Sequence, residues 1–203
     1  FFAVDGSRAE LEFLRQAYEA ALEAGARELV VVDTLGVLSP AAAGYLVRQV
    51  REWVGPGVPL HYHGHNDFGL ATATALAAVE AGAQWVHGTV DGMGERAGNA
   101  DLFQVALALA GLYGRPTGLR LERVQEVSRR VREVAGYEVE PWKPLVGENL
   151  FRRETGAVAA QFHLPEAIEP YAAEVVGGRR RVVLGKKSGL ASIRIKCREL
   201  GLE

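Results

Sequence analysis

The sequence predicts an α/β protein built on a parallel sheet. Short apolar runs alternate with segments whose apolar residues recur at helical spacing, and short polar loops join them. The segment ALEAGA at residues 21–26 is echoed by AVEAGA at residues 78–83, and each stands just before an apolar run. Because this separation fits two strand–helix units, the echo indicates a repeating architecture. It favours a (β/α) barrel over a doubly wound sheet.

Four strand–helix units account for the first part of the chain. The continuous apolar run Leu29–Val32 is typical of a parallel strand that is covered on both faces. The turn Asp5-Gly6-Ser7 offers an N-cap for the first helix, and Ser39-Pro40 offers an N-cap with proline in the first helical position for the second. In chain order, the predicted strands cover about 1–4, 29–32, 61–65 and 84–90, and the predicted helices about 8–23, 40–54, 70–80 and 100–112.

The later part of the chain no longer alternates predicted strands with predicted helices. A charged amphipathic helix is predicted over about 121–135, followed by a passage rich in proline and glycine. Beyond it we expect a helix near 149–162, a short strand over 181–184 and a last helix over 189–200. The expected regions are part of a barrel at 1–118, a linker helix and connection at 119–145, and a small α-rich subdomain at 146–203.

Composition excludes several classes of partner. The chain is 48% hydrophobic over 203 residues, which suffices for a core, and its formal net charge is −2. Acidic and basic residues are interspersed, so we expect no nucleic-acid or membrane partner, and we interpret the basic run Arg179–Arg181 as a solvated turn. The single cysteine, Cys197, rules out an internal disulfide, and no signal peptide or membrane-length apolar span is present. We expect a cytoplasmic protein.

The stretch HYHGHNDFG at residues 61–69 is the strongest candidate site, because it holds three of the five histidines. On a strand these alternate histidines share one face, and two of them can tilt onto one cation. The stretch also ends a strand and precedes a helix, where α/β proteins place their sites. The alternative is a set of polar residues at a frayed strand end. Oxygen ligands are available from Asn99, Asp67 and Asp33, a mixture that suits zinc, manganese or cobalt, and magnesium less readily.

The loop GMGERAGNA at residues 92–100 is the second unusual stretch. Its three glycines let the backbone pass close to a ligand, while Glu95 and Arg96 offer a carboxylate and a forked donor at one place. The alternative is an ordinary loop whose shape is fixed by a Glu95–Arg96 ion pair.

These stretches together carry a family resemblance. HGHNDFGLATATALAAVEAGA followed by VHGTVDGMGERAGNADL, with VVVDTLG before and GKKSG near the end, closely resembles the metal-dependent TIM-barrel family of 2-isopropylmalate, homocitrate and citramalate synthases. The resemblance covers nearly the whole chain. It implies that residues 1–118 are strands five to eight, the C-terminal half of a (β/α)8 TIM barrel, followed by a small, mainly helical subdomain.

The resemblance also implies roles for individual residues. His61 lies below the site as a core or supporting histidine, and His87 is similar. The implied metal ligands are His63, His65 and Asn99, and the implied catalytic residues at the mouth of the site are Glu95 and Arg96. Thr34 is implied to bind the carboxylate of a 2-oxo acid. Arg153 departs from the family pattern, but as a permanent cation it is a candidate to bind an anionic substrate or a CoA phosphate.

The implied reaction is a metal-dependent Claisen condensation of acetyl-CoA with a 2-oxo acid, by a homodimer that needs the missing N-terminal half of the barrel. The divalent metal would be Zn, Mn, Co or Mg. Alternatives are a lyase or aldolase of the same superfamily, and a non-catalytic metal-binding paralogue. The last stays open because Val4 stands where the family has a proton-transferring glutamate, Arg153 and Val158 stand where a histidine motif is expected, and the fourth metal ligand, an aspartate on the first strand, lies outside the chain.

Overall fold

The computed structural model describes residues 1–202 and forms two compact units. The first unit is residues 1–117, and the second begins at Gly118. The segment 119–145, expected to be a connection, is grouped with the second unit. No helix within residues 1–202 is both long enough and apolar enough to cross a membrane.

The first unit is a four-stranded parallel sheet whose strands lie in chain order. Each neighbouring pair is parallel, and helices connect the strands, so the prediction of an α/β fold containing part of a barrel is confirmed. The strands are β1 (Phe2–Ala3), β2 (Leu29–Asp33), β3 (Leu60–Gly64) and β4 (Trp85–His87), and the helices are α1 (Leu11–Glu23), α2 (Pro40–Val54), α3 (Ala71–Glu80) and α4 (Leu102–Leu112).

One face of this sheet packs against the helices and forms the core. Leu60 and Tyr62 of β3 are fully buried in one apolar cluster with residues of α1, α2 and α3. The hydroxyl of Tyr18 on α1 donates to the carbonyl oxygen of Val30 at 3.0 Å, which satisfies a buried polar group. The histidines of β3 point to the other face, because side chains alternate along a strand.

Helix ends show where local sequence signals succeeded and failed. α2 begins as predicted, with the Ser39 hydroxyl accepting from the amide of Ala42 at 3.2 Å and Pro40 in the first turn. The predicted start of the first helix near Arg8 was wrong. Residues 6–8 form a short 3-10 turn, and α1 begins only at Leu11. The Asp5 carboxylate binds the Arg8 guanidinium at 2.9 Å and therefore does not cap a helix.

The second unit has little regular structure. Its elements are α5 (Val124–Ala135), β5 (Arg152–Arg153), α6 (Gly156–Ala159), β6 (Arg181–Val182) and α7 (Leu190–Leu200), with short 3-10 turns between some of them. The helix predicted near 149–162 was wrong: β5 pairs with β6, and only the four residues of α6 are α-helical. Backbone bonds to β6 occupy this segment, including the amide of Arg181 to the carbonyl of Phe151 at 2.9 Å.

Candidate active site

The carboxyl ends of the four strands meet at one rim of the first unit, as expected for neighbouring parallel strands. Backbone bonds join the loops there. The amide of Asp5 donates to the Thr34 hydroxyl at 2.8 Å, and the amide of His65 donates to the carbonyl of Asp33 at 3.2 Å. The amide of Asn66 donates to the carbonyl of Gly98 at 2.9 Å. The rim is therefore one connected surface.

His63 and His65 face each other at this rim. Their Nε2 atoms are 3.3 Å apart, and their rings meet edge to face at 80°. The Nδ1 atoms of both rings are buried and have no hydrogen-bond partner among the described residues. Burial, reinforced by the neighbouring His65 and His87, lowers the pKa of His63. At neutral pH His63 is therefore uncharged, the form in which imidazole binds metal ions.

A backbone bridge places Asn99 beside this histidine pair. Asn99 forms an isolated antiparallel bridge with His65, and its amide donates to the carbonyl of Gly92 at 2.9 Å. The side chain is 8% exposed, and its Nδ2 has no partner within residues 1–202. A Cβ on Gly94 would collide with the Asn99 amide oxygen, so this loop requires glycine there. That this backbone also passes close to a ligand stays a prediction.

These donors fit part of a metal coordination shell. Zinc–imidazole bonds of about 2.0–2.1 Å place two nitrogens on one ion roughly 2.9–3.4 Å apart for bond angles between octahedral and tetrahedral. The observed 3.3 Å lies in that range. Within the described residues, however, no three His, Cys, Asp or Glu side chains form a metal-binding group. The chain thus offers two imidazoles and a neighbouring amide.

The two aspartates considered as oxygen ligands are engaged elsewhere. Both carboxylate oxygens of Asp33 accept backbone amides, from Val37 at 3.1 Å and from Leu38 at 3.0 Å, so Asp33 holds the loop after β2. Asp67 accepts two bonds from the guanidinium of Arg96, at 2.8 and 2.9 Å. The bond from Arg96 lowers the pKa of the Asp67 carboxyl, which stays ionised.

Arg96 connects three loops of the rim. Besides its bonds to Asp67 it donates to the carbonyl of Thr34 at 2.7 Å, and its own backbone is left-handed, at φ 56°. Glu95 contributes little to this network, since its side chain is 85% exposed and lies 3.8 Å from Arg96. The Glu95–Arg96 pair considered from sequence is therefore secondary to the Asp67–Arg96 pair, which sequence reasoning missed.

The two residues assigned to substrate have different surroundings. Thr34 belongs to the rim, between Asp5 and Arg96. Arg153 belongs to the second unit, where it donates to the carbonyls of Leu150 and Arg152 at 2.9 Å and lies 3.9 Å from the buried Glu169 carboxylate. These contacts stabilise the second unit, and substrate binding by Arg153 stays a prediction.

A further polar cluster lies on the same face of the sheet as the histidine pair. His61 Nδ1 is 3.2 Å from His87 Nε2, and His61 Nε2 is 3.1 Å from a carboxylate oxygen of Glu28. The His61 ring also stacks on Trp85 at 5.7 Å. The His61–His87 contact fits the supporting role expected for both, whereas Glu28 was missed. Its place just before β2, beside the start of β3, is the signal that could have found it.

Comparisons with known proteins agree with this architecture. The HMGL-like family model matches residues 1–131. A homocitrate synthase of Methanopyrus kandleri is 48% identical over the whole chain, which covers 51% of that protein. A 2-isopropylmalate synthase of Methanocaldococcus jannaschii is 42% identical, again over the whole chain, which covers 39% of it. The chain thus spans about half of the length of the first relative and less of the second.

A solved structure agrees in fold. An HMG-CoA lyase of Acinetobacter baumannii, in complex with coenzyme A and 3-methylmalate, superposes with a TM-score of 0.62 over 68% of this chain and 48% of its own, at 22% identity. The family predicted from the histidine and glycine-rich stretches is confirmed by these matches. The chain belongs to the HMGL-like family.

Proposed function

We propose that the protein containing this chain is a divalent-metal-dependent enzyme that condenses acetyl-CoA with a 2-oxo acid. Its relatives are named homocitrate synthase and 2-isopropylmalate synthase, which supports a condensing enzyme. The observation that carries the proposal is the pair of imidazole nitrogens 3.3 Å apart at the rim, in a chain 48% identical to a homocitrate synthase. The second unit supports the synthase branch, because the relatives match it as well.

His63, His65 and Asn99 are the residues we assign to the metal. The imidazole nitrogens and the amide oxygen suit zinc, manganese or cobalt better than magnesium. When bound, a divalent cation supplies Lewis acidity towards the ketone of a 2-oxo acid. The remaining ligands come from parts of the protein outside residues 1–202 in this proposal.

Thr34 is assigned to the carboxylate of the 2-oxo acid. Its hydroxyl oxygen already accepts the amide of Asp5 at 2.8 Å. A threonine hydroxyl has one proton to donate, and a bond accepted from Asp5 leaves that proton available to a carboxylate. The carbonyl of Thr34 is held by Arg96 at 2.7 Å, so the threonine is fixed from both sides. Arg153 is kept as a second candidate for an anionic group of the substrate or of CoA.

Glu95 is assigned to proton transfer and Arg96 to positioning. The position just after β1 where the family has a glutamate offers no titratable group, because Val4 stands there and is 73% exposed. Glu95 is the exposed carboxylate in the glycine-rich loop, and a carboxylate is one of the side chains that can serve as a general base. Arg96 acts through Asp67 and Thr34, by holding the loops around the substrate.

The uncovered face of the sheet supports a larger assembly. Phe2 and Trp85, in one row across the sheet with Val30 and His61, are 54% and 58% exposed. We propose that further strand–helix units complete the barrel over this face, and that the complete protein is a homodimer. A cytoplasmic location is proposed from the single cysteine, Cys197.

The test is a release assay for free CoA. The intact protein is given acetyl-CoA, Mn²⁺ or Zn²⁺ and a panel of 2-oxo acids that includes pyruvate, 2-oxoisovalerate and 2-oxoglutarate. We expect CoA release with one of these acids and its loss in His63→Ala. The matched control is His163→Ala, at an exposed histidine of the second unit. Stoichiometric metal binding with no CoA release from any acid would remove the synthase proposal and favour the non-catalytic alternative.

A further inference from the structure

The second unit contains a cavity of about 320 Å³ whose lining carries an excess of basic residues. Four arginines line it, Arg132, Arg152, Arg179 and Arg181, together with one acidic residue, Glu148. The cavity lies within the second unit and shares no residue with the rim described above. Its charge requires a separate explanation.

Two of these arginines are direct neighbours in a strand pair. Arg152 of β5 and Arg181 of β6 are partners across the parallel ladder. Like charges placed opposite each other on neighbouring strands destabilise a sheet. Glu148 binds Arg152 at 3.0 Å and therefore offsets only one of the two cations. The strand pair alone gives no reason for this arrangement.

The other cations are also incompletely compensated. Arg132 pairs with the highly exposed Glu138 at 3.0 Å, but its Nε is buried and has no partner among residues 1–202. Arg179 and Arg181 have no carboxylate partner in that part of the chain. A buried donor without a partner carries a desolvation cost that a ligand can remove. A multiply charged anion would relieve the repulsion and accept bonds from the buried Nε of Arg132 and from the exposed Arg179 and Arg181.

We propose that this cavity binds a ligand through a phosphate or diphosphate group. Guanidinium groups form paired, charge-assisted bonds with phosphate oxygens, and arginines drawn from α5, β5 and the segment leading into β6 allow several such bonds at once. A volume of about 320 Å³ holds a diphosphate and part of its attached group. Free nucleotides, phosphorylated metabolites and the diphosphate of coenzyme A share this chemistry. The proposal does not depend on the condensation reaction.

The test measures binding by calorimetry on the intact protein, with pyrophosphate, ADP and coenzyme A as separate ligands and no 2-oxo acid. We expect saturable binding that weakens as salt is raised, because the contacts are ionic. The double variant R179Q/R181Q should weaken binding about tenfold or more. The matched control R194Q, at an exposed arginine of α7 outside the cavity, should stay within about twofold of the unaltered protein.

The three ligands separate the sources of the phosphate. Binding of all three, each weakened by R179Q/R181Q, assigns the cavity to a general phosphate ligand. Binding of coenzyme A alone, weakened in the same way, assigns it to the co-substrate. Absence of saturable binding for all three ligands at millimolar concentration overturns the proposal, and so does binding that R179Q/R181Q leaves unchanged. Arg179 and Arg181 are exposed, so the double variant should fold, and circular dichroism checks this. Activity with acetyl-CoA is assayed separately, so loss of the condensing function alone leaves this result intact.

Discussion

The two faces of the sheet in the first unit carry different kinds of side chain. On the face that packs against the helices, Leu60 and Tyr62 are fully buried among apolar side chains. On the opposite face, His61 and His63 contact other histidines, and Trp85 is 58% exposed. One face therefore supplies stability, while the other carries the histidines that we propose to bind the metal and leaves Trp85 largely exposed within residues 1–202.

The largest expected effect is a loss of stability on the face that packs against the helices, the face of Leu60 and Tyr62. Leu60→Ala removes a fully buried side chain and should lower the free energy of unfolding by about 2–5 kcal/mol. The matched change Trp85→Ala on the open face should cost no more than about 1 kcal/mol in the 203-residue chain, because the ring is largely exposed. Urea unfolding measures both. Equal costs would contradict the contrast between the faces.

The same two substitutions test whether further parts of the intact protein cover the face that carries Trp85. If further barrel units pack on it, Trp85→Ala should become about as costly there as other large-to-alanine core changes, roughly 3–5 kcal/mol. The measurement is again urea unfolding, now of the intact protein. A small cost in both proteins would show that this face stays open, and would remove the proposal of a completed barrel.

The next effect concerns the metal. His63→Ala or His65→Ala should reduce Zn²⁺ or Mn²⁺ affinity by about 100-fold, since each removes one imidazole from the pair. His61→Gln should have a smaller effect, because His61 contacts Glu28 and His87 and lies in the supporting cluster. Competition with a metal-binding dye measures the affinities. A loss of metal affinity in His61→Gln as large as that in His63→Ala would contradict the supporting role and identify His61 as a ligand.

A smaller loss, of catalytic rate, is expected when the bonds of Arg96 to Asp67 and Thr34 are removed. Arg96→Lys removes the paired bonds to Asp67 and the bond to Thr34 while keeping the charge. We expect kcat to fall about tenfold with the metal affinity unchanged, because the loops lose their fixed positions. Loss of metal binding in Arg96→Lys would show that Arg96 supports the ligands themselves.

The smallest expected effect is a pH dependence of the stability that His87 contributes. Burial and the neighbouring His61 lower the pKa of His87 below its ordinary 6.5, so the unfolded chain binds its proton more readily than the folded chain. Stability from this group is therefore complete above pH 6.5 and falls as the pH drops from 6.5 through the folded-state pKa. Thermal unfolding of the metal-free protein should show the decline, and His87→Phe should reduce it. An unchanged slope in His87→Phe would assign the decline to other groups.

Much of the first unit was predictable because its signals are local. The run Leu29–Val32 predicted β2, and Ser39-Pro40 predicted the start of α2, since a capping hydroxyl and a fixed φ act within one turn. The second unit was less predictable. The helix expected near 149–162 is replaced by a strand paired with residues about 30 positions later, and no local propensity reports such a partner.

The sequence by itself determined the family, the parallel strands and the order in which polar residues reach the rim, because these depend on periodicity and on motifs of adjacent residues. Only the tertiary structure decided which partners those residues take. Asp67 binds Arg96, Asp33 binds its own loop, and Glu28 reaches His61, because ion pairs and hydrogen bonds form between strands brought together by folding. In the run Arg179–Arg181, interpreted from sequence as a solvated turn, Arg179 and Arg181 are exposed, and only the fold shows that both also line a cavity with residues of α5 and β5.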